Sequence, residues 1–249
     1  NAYSLSGGVE AWNAFLLDKI DMSNWSRQII LEEVGIEGQR KLMNSSVGII
    51  GMGGLGCPAA QALIGAGVMK LVIMDGDIVE HSNLHRQSLY GVDDVGSLKV
   101  EVAKEKLKRI YGAASIETFD SYLDSDNGAS IFNNLDIVID ATDNNASREL
   151  IDKFSKEHNV PMIYGGLYRY EGQVSVLNVS GSCGYTDLFP DKGNSENCSE
   201  SGVLGMLPGI IGNIQALEAV KFILEIRPNL IGKLMIYDGM NHKTETIEL

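Results

Sequence analysis

The run Gly51-Met52-Gly53-Gly54-Leu55-Gly56 narrows the fold more than any other feature of the chain. It closes the short β-branched stretch SVGIIG (46–51) and opens a small-residue stretch of helical spacing from about Leu55 to Gly67. A G-x-G-x-x-G loop in that context lets backbone N–H groups approach a phosphate, and the following helix N-terminus favours the negative charge. The rest of the pattern agrees. KLVIMD (70–75), SIETFD (115–120), LDIVIDATD (135–143), PMIYGG (161–166) and QVSVLNV (173–179) read as strands. VEVAKEKLKRIYG (100–112), a polar stretch to about His158, and LPGIIGNIQALEAVKFIL (207–224) read as helices. Apolar strands alternating with helices predict an α/β fold, a Rossmann-like and mainly parallel sheet covered by helices on both faces. GKLMIYDG (232–239) and KTETIEL (243–249) predict an antiparallel extension at the C-terminal end, joined through Gly239–His242. Before the first strand, 9–20 reads as a short amphipathic helix, and 25–44 as one or two more broken at Gly35 and Gly38.

With 249 residues the chain suits one large domain that needs no staple for its core. Twenty Lys plus Arg against 33 Asp plus Glu give a net charge of −13. That field repels nucleic acid and anionic membranes, so neither is expected as a main partner. No apolar run approaches the roughly 20 residues of a membrane span. Three cysteines, Cys57, Cys183 and Cys198, make no disulfide framework, which points to a reducing, cytoplasmic setting. The chain begins at Asn1 rather than Met and is expected to be a piece of a longer product. Residues 180–202, polar and rich in Gly and Ser, read as an exposed crossing segment.

Asp75 follows Gly56 by 19 residues, at the end of the second strand, where a carboxylate can bind ribose hydroxyls. On this much a nicotinamide-dependent oxidoreductase is one reading. Two features favour another. The strand ends carry Asp75, Asp77 and Asp143, more carboxylates than a pyrophosphate alone would tolerate but suited to a metal ion. Ser82-Asn83-Leu84-His85-Arg86-Gln87 and Lys99 add an amide, a guanidinium and an ammonium just after the second strand. In an acidic chain such a cluster points to a triphosphate. No G-x-x-x-x-G-K-[ST] loop is present, so ATP would be held without a P-loop lysine.

In order along the chain, SRQIIL (26–31), GMGGLGC (51–57), DGDIVEHSNLHRQ (75–87), Gly96 to Lys99, ATDN (141–144), EGQVSV (171–176) and GVLG…GIIGNIQALEAVK (202–221) resemble the ThiF/MoeB/HesA adenylyltransferases, relatives of ubiquitin-activating enzymes. The resemblance covers about residues 25–249 and leaves 1–24 as an N-terminal extension. It implies a nucleotide site built from Gly51, Gly53, Gly54, Gly56, Asp75, Asp77, Ser82, Asn83, Arg86, Gln87, Lys99, Thr142 and Asp143. Gly54 would lie against the phosphates and Asp75 would hold the ribose. Asn83, Arg86 and Lys99 would grip the triphosphate, and Asp143 would position Mg2+. Arg27 matches the family arginine that reaches the γ-phosphate from a neighbouring subunit, which implies a homodimer. The implied reaction joins ATP to the C-terminal glycine carboxylate of a small ubiquitin-like sulfur carrier ending in Gly-Gly and releases pyrophosphate. Activation of another carboxylate, in a modified tRNA base or a peptide, stays open within the same fold.

Two stretches depart from the family pattern. Many members hold a structural zinc on two C-x-x-C pairs, whereas this chain offers Cys183-Gly184-Tyr185-Thr186 and no cysteine in its last strands. Cys183, Cys198 and His242 make at most three ligands, short of the four that structural zinc needs, so no zinc is expected. Tyr3 to Trp12 is similar to the tail of a rhodanese-type sulfurtransferase, which implies a rhodanese or other sulfur donor as partner. Cys198, before GVLG, matches the place where several members carry a cysteine that bonds the activated carrier or accepts sulfur. Glu196 and Glu200 beside it disfavour a thiolate.

Overall fold

In a computed structural model the structure describes residues 22–179, 181–190 and 202–249. The expected helix at 9–20 lies outside them. Eight strands form one sheet in the order β3-β2-β1-β4-β5-β6-β7-β8. They are β1 (Ser46–Ile50), β2 (Lys70–Met74), β3 (Ser115–Phe119), β4 (Ile137–Asp140), β5 (Met162–Tyr168), β6 (Glu171–Leu177), β7 (Lys233–Asp238) and β8 (Lys243–Glu248). The first five run parallel. Beyond them β5 to β8 form an antiparallel meander. PMIYGG and QVSVLNV, read in sequence simply as two more strands, are the two arms of one hairpin.

The helices are α1 (Ser26–Ile29), α2 (Gly35–Asn44), α3 (Gly56–Ala66), α4 (Lys99–Ile110), α5 (Gly128–Phe132), α6 (Asn145–His158), α7 (Tyr185–Leu188) and α8 (Met206–Ile223). Gly35, at φ +55°, does separate α1 from α2. Gly38 does not break α2; a Cβ there would meet Leu224 Cδ2 at 3.1 Å, so its smallness serves packing. The short α5 was not expected from the sequence.

Strand alternation sorts the core onto two faces. Val47, Ile49, Leu71, Ile73, Ile137, Ile139 and Ile163 pack with α3, α4 and α8. Ile50, Met74, Val138, Met162 and Tyr164 pack with Phe132 of α5, Ile151 and Phe154 of α6, and Tyr185 of α7. Helices therefore cover both faces of the parallel part, while β8 stands exposed along its length. Within the sheet the chain steps outward from β1 to β2 and β3, then returns to place β4 on the other side of β1. The carboxyl ends of β1 and β4 thus flank the point where strand order reverses, where open α/β sheets bind ligands.

Candidate active site

A cleft of about 600 Å³ opens at that point. The glycine loop forms its floor. Gly51 has φ +97°, and a Cβ on it would fall 2.6 Å from the Ala141 carbonyl oxygen, so the loop after β1 presses directly on the turn after β4. A Cβ on Gly56 would fall 1.9 Å from Gly51 O, which no side chain could survive. Gly53 is less constrained, with Gln87 Nε2 at 3.6 Å from its virtual Cβ. Gly54 is enclosed by Pro208 of α8, 2.9 Å away, and by the Arg86 stem at 3.7 Å.

Asp75 ties this loop to the end of β2. Its Oδ2 accepts from Met52 N at 2.7 Å and its Oδ1 from Asp77 N at 2.9 Å. Burial pushes its pKa above the usual carboxylate range, against the pull of Lys99 and the two backbone donors. Lys99, buried at the start of α4, donates to Asp77 Oδ2 at 2.7 Å and lies 3.7 Å from Asp75 Oδ1. Tyr122, which follows β3, donates its hydroxyl to Asp77 Oδ1. Burial would raise Asp77, but the hydrogen bonds from Lys99 and Tyr122 outweigh it and hold the carboxyl below its usual range. The same bond pushes the Tyr122 phenol up to about 12.

The SNLHRQ segment forms a tight turn along the cleft wall. Asn83 is buried, and its Oδ1 accepts from Glu80 N at 3.0 Å. Its carbonyl takes the N–H groups of both Arg86 and Gln87 at 3.0 Å. Arg86 is half-buried and donates from Nη1 to Ser82 O at 2.8 Å. Ser82 Oγ itself donates to Glu80 at 3.0 Å. Opposite, Thr142 N and Oγ1 donate to Asp140 Oδ1 at 3.0 and 2.6 Å, and Asp143 stands exposed beside them with Asn144 Nδ2 at 3.4 Å. Asp140 is wholly buried, which drives its pKa up against the pull of Arg148 and Thr142.

All thirteen expected nucleotide-site residues but Gly56 line this one cleft, and Gly56 closes its floor. Arg27 does not join them. It sits in α1, whose neighbours Trp25 and Gln28 donate to Gly65 O and Ala66 O at the C-terminal end of α3. The glycine loop is at the other end of that 11-residue helix, roughly 16 Å away at 1.5 Å per residue. Cys198 lies outside the described residues. Cys183 and His242 stand beyond opposite ends of β6, roughly 20 Å apart along the strand, so they do not share an ion. His242 Nδ1 instead lies 3.0 Å from Tyr237 Oη. Cys57 is buried in the core, which pushes its thiol up to about 12 and makes it inert.

Sequence reasoning missed Tyr122, Asp140, Arg148 and Arg169, which line or support the cleft. Asp140 carried a signal, being the last residue of the strand that Asp143 was assigned to. The strand stops there because Asp140 folds Thr142 back onto itself. Arg169 sits at φ +52° in the two-residue tip between β5 and β6, a strained position for a side-chain residue and one no pattern announces.

The ThiF family pattern matches residues 25–249. The chain belongs to the ThiF family. It is 40% identical to the SAMP-activating enzyme E1 of Haloferax volcanii over 93% of this chain and 86% of that one. It is 38% identical to the sulfur carrier protein adenylyltransferase of Thermus thermophilus, over 89% of this chain and 85% of that one. It is 40% identical to the adenylyltransferase and sulfurtransferase MOCS3 of Anopheles gambiae, but spans only 54% of that longer protein. Among solved structures PaaA superposes with a TM-score of 0.77 at 26% identity, covering 98% of this chain and 83% of its own. Escherichia coli MccB, solved with ATP, superposes with a TM-score of 0.79 at 19% identity, over 100% of this chain and 80% of its own, and speaks for the fold alone. Among the described residues no helix is long and apolar enough to cross a membrane.

Proposed function

We propose that this ThiF-family chain is an adenylyltransferase that uses ATP to activate the C-terminal glycine carboxylate of a small ubiquitin-like sulfur carrier, releasing pyrophosphate. The observation that carries the reading is the convergence of Asn83, Arg86, Lys99 and Asp143 on the glycine loop in one cleft. The names of its relatives supply the substrate class. In this reading the loop and Gly54 face the phosphates, Lys99 and Arg86 take phosphate oxygens, and Asp75 adds a ribose contact to its loop-holding bonds.

The residues also fit Mg2+. It is held by one or two carboxylates together with phosphate oxygens and water, and Asp143 offers an exposed carboxylate at the cleft wall. No cluster of three His, Cys, Asp or Glu forms an all-protein cage among the described residues. When bound, the ion neutralises phosphate charge. The protein's own share is electrostatic and positional. A carboxylate oxygen attacks the α-phosphorus, a P–O bond forms as the bond to the β-phosphate breaks, and pyrophosphate departs with the electron pair. The nucleophile is already ionised at neutral pH, so no general base is required. The cations have to offset repulsion between two anions while the cleft holds them in line.

Arg27, placed at the far end of α3, fits this scheme as a donor to a second copy's cleft, which makes the working unit a homodimer. Cys198 as acceptor of sulfur or of the activated carrier, a rhodanese-type donor, and the cytoplasmic setting belong to the same reading. The test is exchange of labelled pyrophosphate into ATP, with and without a ubiquitin-like carrier ending in Gly-Gly. Carrier-dependent exchange in the wild type and its loss in a folded Asp143→Ala protein are expected. Wild-type exchange by Asp143→Ala would remove the assignment of that residue, and exchange indifferent to any such carrier would remove the substrate class.

A further inference from the structure

The Asp143 carboxylate projects from a turn that is fastened on both sides. Upstream, Asp140 holds Thr142 through both its N–H and its hydroxyl. Asp140 is itself fixed from α8, where Gln215 Nε2 donates to its carbonyl at 2.6 Å. Downstream, Asn144 caps α6, its Oδ1 accepting from Ser147 N at 2.9 Å. Arg148, in the first turn of α6, reaches back across this turn. Its Nη2 donates to Thr142 O at 3.0 Å, its Nε lies 3.5 Å from Asp140 Oδ2, and its guanidinium sits 5.5 Å from the centre of the Tyr164 ring. Thr142 O belongs to the peptide unit that leads into Asp143. Asp140, Thr142 and Arg148 therefore close a ring of contacts around that peptide, and Asp143 is the member whose side chain is left exposed at the cleft.

From this ring we infer that Arg148 and Asp140 are positioning residues: their buried pair fixes the Thr142–Asp143 peptide and so aims the Asp143 carboxylate at the phosphates. The inference rests on the reading of Asp143 given above. Its physical basis is the cost of burying charge. Asp140 is 0% and Arg148 7% exposed, and a pair so placed gains little stability over apolar residues of the same size. What an ion pair supplies and apolar packing does not is direction. The guanidinium fork binds the carbonyl of one residue and faces the carboxylate of another, and both belong to the turn that carries Asp143. Loosening the fork lets that turn shift, and a displacement near 1 Å at a reacting centre can cost about 100-fold in rate.

The decisive variants are Arg148→Met, which keeps the stem and removes the fork, and Arg148→Lys, which keeps the charge without the fork. Thr142→Ala tests the same ring from its other side, should neither Arg148 variant fold. Each is assayed for pyrophosphate exchange and, by calorimetry, for binding of a non-hydrolysable ATP analogue with and without Mg2+. Expected are a loss of exchange of roughly tenfold or more in Arg148→Met and partial recovery in Arg148→Lys. Analogue affinity without Mg2+ should stay within about twofold of wild type, with loss of the gain that Mg2+ confers. Merely structural damage would not spare the metal-free affinity. On an Asp143→Ala background the Arg148→Met change should have no further effect on analogue affinity with Mg2+, because a residue acting through another is silent once that other is gone. Losses that multiply in the double variant, with Asp143→Ala itself impaired, overturn the inference and leave the Asp143 assignment standing. Full activity of Asp143→Ala overturns both, and full activity of Arg148→Met overturns the inference alone.

Discussion

Lys99→Met isolates what one buried ammonium does for both stability and binding. The substitution keeps the stem within α4 and removes a charge whose side chain is 6% exposed, 2.7 Å from Asp77 and 3.7 Å from Asp75. Breaking a buried pair by removing one partner costs about 3–5 kcal/mol. Asp77 is half open to solvent, which places this site at the low end, about 3 kcal/mol near neutral pH. For a chain of this size that is a fall of roughly 6–12 °C in Tm. The deficit should depend on pH with a definite sign. Asp75 is pushed up by burial, and Lys99 opposes the rise, so without Lys99 its folded pKa climbs further. A carboxyl raised on folding holds its proton better folded than unfolded, and its contribution to stability falls as pH rises from the ordinary value through the folded one. Asp77 is held low largely by Lys99, and the stability this gives exists above the ordinary carboxyl range and is lost on acidification. Both effects enlarge the deficit of the variant as pH rises. Thermal unfolding of the two proteins from pH 4 to pH 8 should show Tm values that converge toward acid and separate toward neutrality. A gap that is the same at both ends would refute the role of Lys99 as the cation balancing these carboxylates. At pH 7.5 the variant should also bind ATP roughly 10- to 100-fold more weakly, the loss of one charged hydrogen bond to phosphate.

Arg86→Ala should weaken ATP binding by about 1.5–3 kcal/mol, and AMP binding less if, as proposed, the guanidinium reaches the β- and γ-phosphates; equal losses in calorimetry would place it elsewhere. Arg27→Ala and Asp143→Ala proteins, each inactive alone, should regain exchange activity when their subunits are mixed, because one site of each heterodimer is then intact. Mixed subunits that demonstrably exchange yet stay inactive would rule out a shared site. Cys198→Ser should leave pyrophosphate exchange unchanged and abolish sulfur transfer to the carrier; thiocarboxylate formation by the Ser variant, read by mass spectrometry, would make Cys198 a bystander.

The parallel half of the fold was legible because its central strands, β1, β4 and most of β5, are buried on both faces and read as apolar runs, while β3 at the sheet edge shows alternation. KLVIMD and SIETFD fall within a residue of β2 and β3. The boundaries that failed are those set by side chains closing back on the backbone. LDIVIDATD was expected to be strand through Asp143, but Asp140 takes Thr142 into a turn after Asp140. Gly38 looked like a helix breaker because composition cannot show that Leu224, far along the chain, would press on it. The same division holds at the site. Residues proposed to grip the nucleotide, Asn83, Arg86 and Lys99, stand in compact motifs. Side chains that brace the cleft, Tyr122 on Asp77 and Arg148 on Thr142, come from other elements and meet only when the sheet is assembled.

The protein carries a net charge of −13, yet its cleft gathers Arg86, Lys99, Arg148 and Arg169. Each of the first three already has an oxygen partner within the chain: Ser82 O for Arg86, Asp77 for Lys99, Thr142 O and Asp140 for Arg148. At these three a bound anion therefore does not meet bare cations, and its gain there is the difference between the contacts it offers and those it replaces or shares. Asp140 cannot yield its place, being wholly buried behind the turn. Asp77, half exposed at the cleft, can. A polyphosphate presents several oxygens to Arg86 and Lys99 together, whereas a single carboxylate offers Lys99 only what Asp77 already supplies. Such a balance favours a triphosphate over smaller anions at the same site, and it leaves the attacking carboxylate to be held by position rather than by strong charge pairing.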